Sequence, residues 1–107
     1  MLYMILGEDA PDSLPIRRAT RAAHLAYLQP LIDGKRLFAA GPRPRVDAPD
    51  PGDAGFHGSL IIAEFPSLAD ARAWAADDPY VHAGVFSRTT VQPYLKVRKT
   101  VTVLLLC

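Results

Sequence analysis

Apolar residues fall along this chain in short runs separated by turn chemistry, with helical spacing in two segments. "LYMIL" (2–6) is unbroken apolar sequence closed by Gly7, the pattern of a central strand covered on both faces. "EDAPDSLP" follows as a loop. In it Ser13 suits a helix N-cap and Pro15 a first helical turn, where no amide hydrogen bond is needed. From Leu14 to Asp33, the residues Ile16, Ala19, Ala23, Tyr27 and Leu31 recur at steps of three and four, predicting one core-facing stripe on a helix. Pro30 predicts a weakened last turn, and Gly34 the end of the helix.

"KRLFAAG" (35–41) predicts a second strand. Residues 42–55 hold four prolines, two glycines and three aspartates, which is loop chemistry. "FHGSLIIAEF" (56–65) predicts the third strand. Ser67, with Asp70 three residues on, opens a second helix over "SLADARAWAADD", whose apolar face is Leu68, Ala71, Trp74 and Ala75. A fourth strand runs from Val85 toward Val97. The tail "TVTVLLLC" predicts a fifth, paired with the sheet or a partner subunit, because an exposed apolar edge invites aggregation. The order β-α-β-β-α-β is the split βαβ of ferredoxin-like α+β domains: an antiparallel sheet with two helices on one face. One domain spans residues 1–107, with 99–107 as a strand extension. The sheet face without helices calls for a cover, most economically a second copy, so a homodimer is expected.

Composition narrows the function classes. Twelve basic and eleven acidic residues leave a net charge of +1, so nothing points to a nucleic-acid partner, whose phosphates call for concentrated positive charge. The strands also lack the aromatic ladder of an RNA-binding sheet. Cys107 is the single cysteine, which excludes an intrachain disulfide and fits a reducing, cytoplasmic setting. The apolar run at the start is too short for a signal peptide or a span, so no membrane partner is expected. Nucleotide-binding glycine patterns are absent, and Ser59 does not sit in a G-x-S-x-G elbow. His24, His57 and His82 show no metal-ligand spacing. Neither a metal nor an organic cofactor is implied.

The candidate chemistry lies in "WAADDPYVHAGVF" (74–86) and on the first helix. At roughly 100° per residue, Arg17, Arg21, His24 and Leu28 share one edge beside the apolar stripe, which places His24 at a partly buried border. The helices of a split βαβ lie side by side, so Asp78 can approach His24, and Pro79 restricts Asp78 to extended backbone. A carboxylate on one imidazole nitrogen fixes the tautomer and raises the basicity of the other. Spacing alone leaves open a bland alternative, an edge histidine and a helix-stop aspartate. Arg17 and Arg21 attract an anion or merely solvate a helix face. Ser59 donates to a ligand or simply begins a strand, Gly41 and Pro42 admit a ligand to the backbone or mark a turn, and Tyr80 closes a pocket or packs.

"RAAHLAYLQPL…KRLFAAGPRP" followed by "AGFHGSLIIAEFPSLADARAWAADDPYVHAGVF…VQPYLKV" resembles the YciI-like family, the YCII-related domain, over residues 1 to about 98. The carriers are the histidine–leucine pair, "AGP" after the second strand, "GS" opening the third and "DPY" after the second helix. The resemblance implies a ferredoxin-like domain, commonly dimeric, with a histidine–aspartate pair that falls on His24 and Asp78. It also implies a pocket lined at Gly41, Pro42, Ser59 and Tyr80. One enzyme branch of such proteins removes chloride from a chlorinated hydroxyhydroquinone, a lyase-type reaction. The expectation is a small-molecule enzyme using His24 and Asp78 for acid–base chemistry. The rivals are a non-catalytic ligand-binding or sensing module and a scaffold with a vestigial pocket.

Overall fold

A computed structural model describes residues 1–97; the fifth strand expected in the tail lies outside the described residues. The elements run β1 (Leu2–Asp9), α1 (Leu14–Asp33), β2 (Leu37–Pro44), a 3-10 turn (Gly52–Ala54), β3 (Phe56–Glu64), α2 (Leu68–Ala76), α3 (Pro79–His82) and β4 (Phe86–Tyr94). The sheet order is β2-β3-β1-β4 with every neighbouring pair antiparallel. This is the α+β, ferredoxin-like arrangement that the alternation of strands and helices predicts.

Period-two side-chain alternation sends Tyr3 and Ile5 of β1, with Ile61 and Ala63 of β3, toward the helices. There they meet Leu28 and Leu31 of α1, Ala71 and Ala75 of α2, and Phe65. Leu2, Met4, Leu6 and Leu60 point the other way and remain half-buried, beside the better covered Ile62. β1 is thus central, but covered by helices on one face, where the unbroken apolar run predicts both. A second cluster, Tyr80, Val85 and Phe86, forms where α3 turns into β4.

Ser67 caps α2 by accepting the Asp70 amide at 3.1 Å, whereas Ser13 at the start of α1 makes no side-chain cap. At the other end of α1, Pro30 sits within a helix that continues to Asp33, and Lys35 takes the left-handed conformation (φ 56°) in place of Gly34.

Several element bounds, and the buried face of α1, differ from the sequence pattern. β1 continues through Glu8 and Asp9, and β2 runs on through Gly41 and Pro42 to Pro44. Proline is tolerated there because β2 is an edge strand. α2 stops at Ala76, and a separate short helix, α3, follows. The core face of α1 is rotated from the expected stripe. Arg17, His24, Leu28 and Leu31 are buried, whereas Ile16 is 43% exposed and Ala19 and Ala23 face solvent. Of the described helices, none is long and apolar enough to cross a membrane.

Candidate functional site

Asp77 ends α2, and Asp78 then adopts φ −59°, ψ 132°, the extended conformation favoured before proline. That conformation turns the Asp78 side chain back over α3, where Oδ1 accepts the Tyr80 amide at 2.9 Å as an N-cap. The same oxygen lies 2.9 Å from His24 Nδ1 on α1, with only 3% of the Asp78 and 8% of the His24 side chain exposed. A carboxylate oxygen can only accept, so Nδ1 carries the proton and Nε2 presents the lone pair. Nε2 has no hydrogen-bond partner among the described residues, and it is not fully enclosed. The Tyr80 ring stacks on the imidazole at 4.1 Å and 14°, fixing its plane.

Seven residues before His24 on α1, Arg17 is buried on the same face. Its Nε and Nη2 each bond Asp9 at 2.7 Å, and Nη2 also donates to Ser59 Oγ at 3.0 Å. The guanidinium stands 4.7 Å from the Tyr80 ring centre, 5.2 Å from Phe56 and 5.8 Å from Phe86. Burial raises the Tyr80 phenol above its usual range and the Asp78 charge adds to this, against the opposing pull of Arg17 and Arg21. Tyr80 is therefore a neutral hydroxyl at physiological pH.

Between α1 and the β2–β3 side of the sheet lies a cavity of about 230 Å³. Its polar groups are His24, Tyr80, Ser59 and the arginines 17, 18 and 21; Phe56, Leu25, Leu28 and Pro42 supply apolar wall. Gly41 and Pro42 line it because Pro42 pairs with Ser59 across β2 and β3. The structure thus brings His24, Arg17, Arg21, Gly41, Pro42, Ser59 and Tyr80 to one cavity. Asp78 stands behind the imidazole and does not line it.

Arg17 is buried and paired while Arg21 is exposed, a distinction their shared helix edge does not reveal. Asp9 and Phe56 were not legible as site residues. Asp9 reads as part of an acidic loop, whereas it is the last residue of β1. His82 pairs at 3.4 Å with Asp77 in solvent, away from the cavity. Among the described residues no cluster of three His, Cys, Asp or Glu side chains is placed to hold a metal ion.

Residues 1–95 match the model of the YCII-related domain, and the chain belongs to that family. It is 57% identical over 97 residues to protein YciI of Escherichia coli, covering 91% of this chain and 99% of that one. It is 47% identical, with the same coverage, to an uncharacterized protein of Haemophilus influenzae. Among solved structures it is similar to the 5-chloro-2-hydroxyhydroquinone dehydrochlorinase TftG of Burkholderia phenoliruptrix, in complex with 2,5-dihydroxybenzoquinone. That similarity has a TM-score of 0.78 at 34% identity, over 89% of this chain and 94% of the other.

Proposed function

We propose that this member of the YCII-related family is a small-molecule enzyme of the proton-transfer or lyase type, with His24 as its general base and acid. The observation that carries the reading is the buried Asp78 on Nδ1, which leaves Nε2 as the basic nitrogen of a ring that lines a cavity. Nε2 takes a proton from the substrate, and Asp78 holds the ring in place and offsets the imidazolium charge. In an elimination, the electron pair of the broken bond forms a π bond while the leaving group departs with its own pair. The proton on Nε2 then passes to solvent or product. A placed histidine contributes roughly 10²–10⁴-fold in rate. Resemblance to a dehydrochlorinase supports the lyase-type chemistry. A homodimer and a cytoplasmic setting belong to the proposal. The first rests on the half-buried apolar sheet face of Met4, Leu6 and Leu60, the second on a single cysteine.

The test is chloride release from 5-chloro-2-hydroxyhydroquinone, together with deuterium uptake at carbon in 2,5-dihydroxybenzoquinone. The wild type is expected to accelerate one or both, and His24→Ala to lose at least about 100-fold. Tight binding of either compound with no turnover, and with affinity unchanged in His24→Ala, would establish the non-catalytic binding module instead. A light-scattering mass of one chain at micromolar concentration rules out the dimer.

A further inference from the structure

Five of the eight large apolar side chains left exposed among the described residues gather at one end of the sheet. They are Met1, Ile32, Phe38, Leu95 and Val97, each between 44% and 76% accessible. The strand register brings them together. Leu2 at the start of β1 pairs with Glu64 at the end of β3 and with Tyr94 at the end of β4. α1 ends and β2 begins beside them, where the Glu64 amide donates to the Arg36 carbonyl at 2.9 Å. Three cations share this end. The Lys35 amide bonds the Ile32 carbonyl at 3.0 Å, Arg36 donates twice to the Glu64 carbonyl at 2.9 and 3.1 Å, and Lys96 Nζ lies 4.8 Å from the Phe38 ring centre. Lys35, Arg36, Phe38 and Lys96 line one depression of about 260 Å³. Arg98 and Lys99 come next in the sequence, followed by "TVTVLLL" (100–106). With them, five cations compare with two carboxylates, Asp33 and Glu64. The family match ends at residue 95, so Lys96 and everything after it is this chain's own addition to that match.

We propose that this end of the molecule, together with residues 98–107, attaches the protein peripherally to an anionic lipid surface. A contiguous exposed apolar patch rimmed by charge marks an interaction surface. A second copy seated there would set like charges against each other. A nucleic acid would answer the charge but offer nothing to the aliphatic side chains. An anionic bilayer meets both. Its headgroups take the lysines and arginines, whose stems lie on apolar surface while their charged heads stay in water. Phe38, Leu95, Val97 and the aliphatic run beyond them reach the acyl boundary. Stable attachment takes two signals, and an apolar group beside a basic cluster supplies them. Each lysine or arginine near such a surface contributes roughly fivefold in partition. The expectation of no membrane partner rested on the want of a spanning segment, and attachment at the surface needs none. Ser59 lies five residues before Glu64 on β3, roughly 17 Å from this end at the rise of a strand, so the cavity stays open to solvent. The inference is therefore independent of the reading of His24.

The experiment is flotation of the full chain with vesicles of phosphatidylcholine, either alone or mixed equally with phosphatidylglycerol. Binding to the anionic vesicles is expected to be at least about tenfold tighter than to the neutral ones, and to weaken at least about tenfold between about 0.1 and 0.5 M salt. Lys35→Glu/Lys96→Glu weakens it more than about tenfold. Phe38→Ser weakens it about three- to tenfold, and Leu104→Asp/Leu105→Asp more than about tenfold. Arg72→Glu, an exposed site on α2 away from the patch, changes it less than about threefold. Equal binding to the two vesicles, no binding, or a loss in Arg72→Glu as large as in Lys35→Glu/Lys96→Glu overturns the proposal. So does anionic binding that ignores both apolar variants, since charge alone then accounts for it. A lower light-scattering mass for those variants without vesicles makes this end an interface between copies, and overturns the proposal as well. Should an apolar variant fail to fold, Lys35→Glu/Lys96→Glu decides, because both of its side chains are exposed.

Discussion

Asp78 Oδ1 accepts two hydrogen bonds at once, from the Tyr80 amide and from His24 Nδ1, both at 2.9 Å. This makes alanine and asparagine very different substitutions. Asp78→Ala removes an N-cap, costing about 1 kcal/mol. It also leaves the buried Nδ1–H without its acceptor, a further penalty of about 1–3 kcal/mol. The sum, about 2–4 kcal/mol, should lower the unfolding temperature by roughly 10–30 °C in a domain of this size. Asp78→Asn keeps a carbonyl oxygen at the Oδ1 position and both bonds with it. Only the charge assistance is lost, about 1 kcal/mol. Its midpoint should fall by less than about 8 °C. Catalysis should not be spared in the same way, since an amide cannot offset an imidazolium, and turnover drops roughly 10²–10⁴-fold. Thermal unfolding monitored by circular dichroism reads the first effect. A turnover assay reads the second, and ring ¹⁵N shifts of His24 read the tautomer, with Nδ1 protonated in the wild type and Asp78→Asn and the Nε2–H form gaining in Asp78→Ala. If asparagine destabilises as much as alanine, or if turnover survives in Asp78→Asn, the shared oxygen does not have the double duty assigned to it.

Three further outcomes follow from the packing. The Tyr27 phenol donates to the Trp74 carbonyl at 2.7 Å, and burial first, then the charges of Asp77 and Asp78, raise its pKa from 10.0 to about 12. A raised folded-state pKa contributes stability below pH 10 that is lost as pH climbs toward 12; Tyr27→Phe should flatten that alkaline limb in urea midpoints taken at pH 9 to 11. At Gly7 a Cβ would run into the Phe86 ring, so Gly7→Ala should cost about 1–3 kcal/mol in denaturant unfolding and shift the Tyr80 resonances that Phe86 supports at 5.4 Å. Arg17→Met alone leaves the Asp9 carboxylate buried and unpaired, at about 3–5 kcal/mol, whereas Asp9→Leu/Arg17→Met should be neutral or more stable by about 1–4 kcal/mol. A double variant as unstable as the single would contradict the ion-pair reasoning.

Much of the fold was legible because apolar runs and turn residues sit where the strands and helices begin. Ser67 with Asp70 marks the start of α2, and Pro79 confines Asp78. What misled the reading was local chemistry overridden by position. Pro42 and Pro44 look like loop, but an edge strand can spare the amides they lack. α3 is four residues long, too short for any periodicity, and shows only as an aspartate followed by proline. Gly58 reads as an ordinary strand glycine. Its neighbours explain it: a Cβ there would occupy the Gly7 carbonyl oxygen, against which Arg43 also donates at 2.8 Å.

α1 was hardest to read, and for a reason tied to the site. An amphipathic pattern assumes that the buried stripe is the apolar one. Here the buried stripe begins Arg17, His24, while Ile16 is left 43% exposed. Each of the two polar residues is covered only because a partner arrives from elsewhere in the chain. Asp9 comes from the end of β1, Ser59 from β3, and Asp78 from the cap of α3. Those partners lie 8, 42 and 54 residues away, beyond any local pattern. Leucine at both positions would have made a conventional helix face. Local rules tend to break where a site takes precedence over the fold. Arg17 and His24 are two turns apart, about 10 Å along the axis, which lets a rigid helix present a guanidinium and an imidazole to one small cavity.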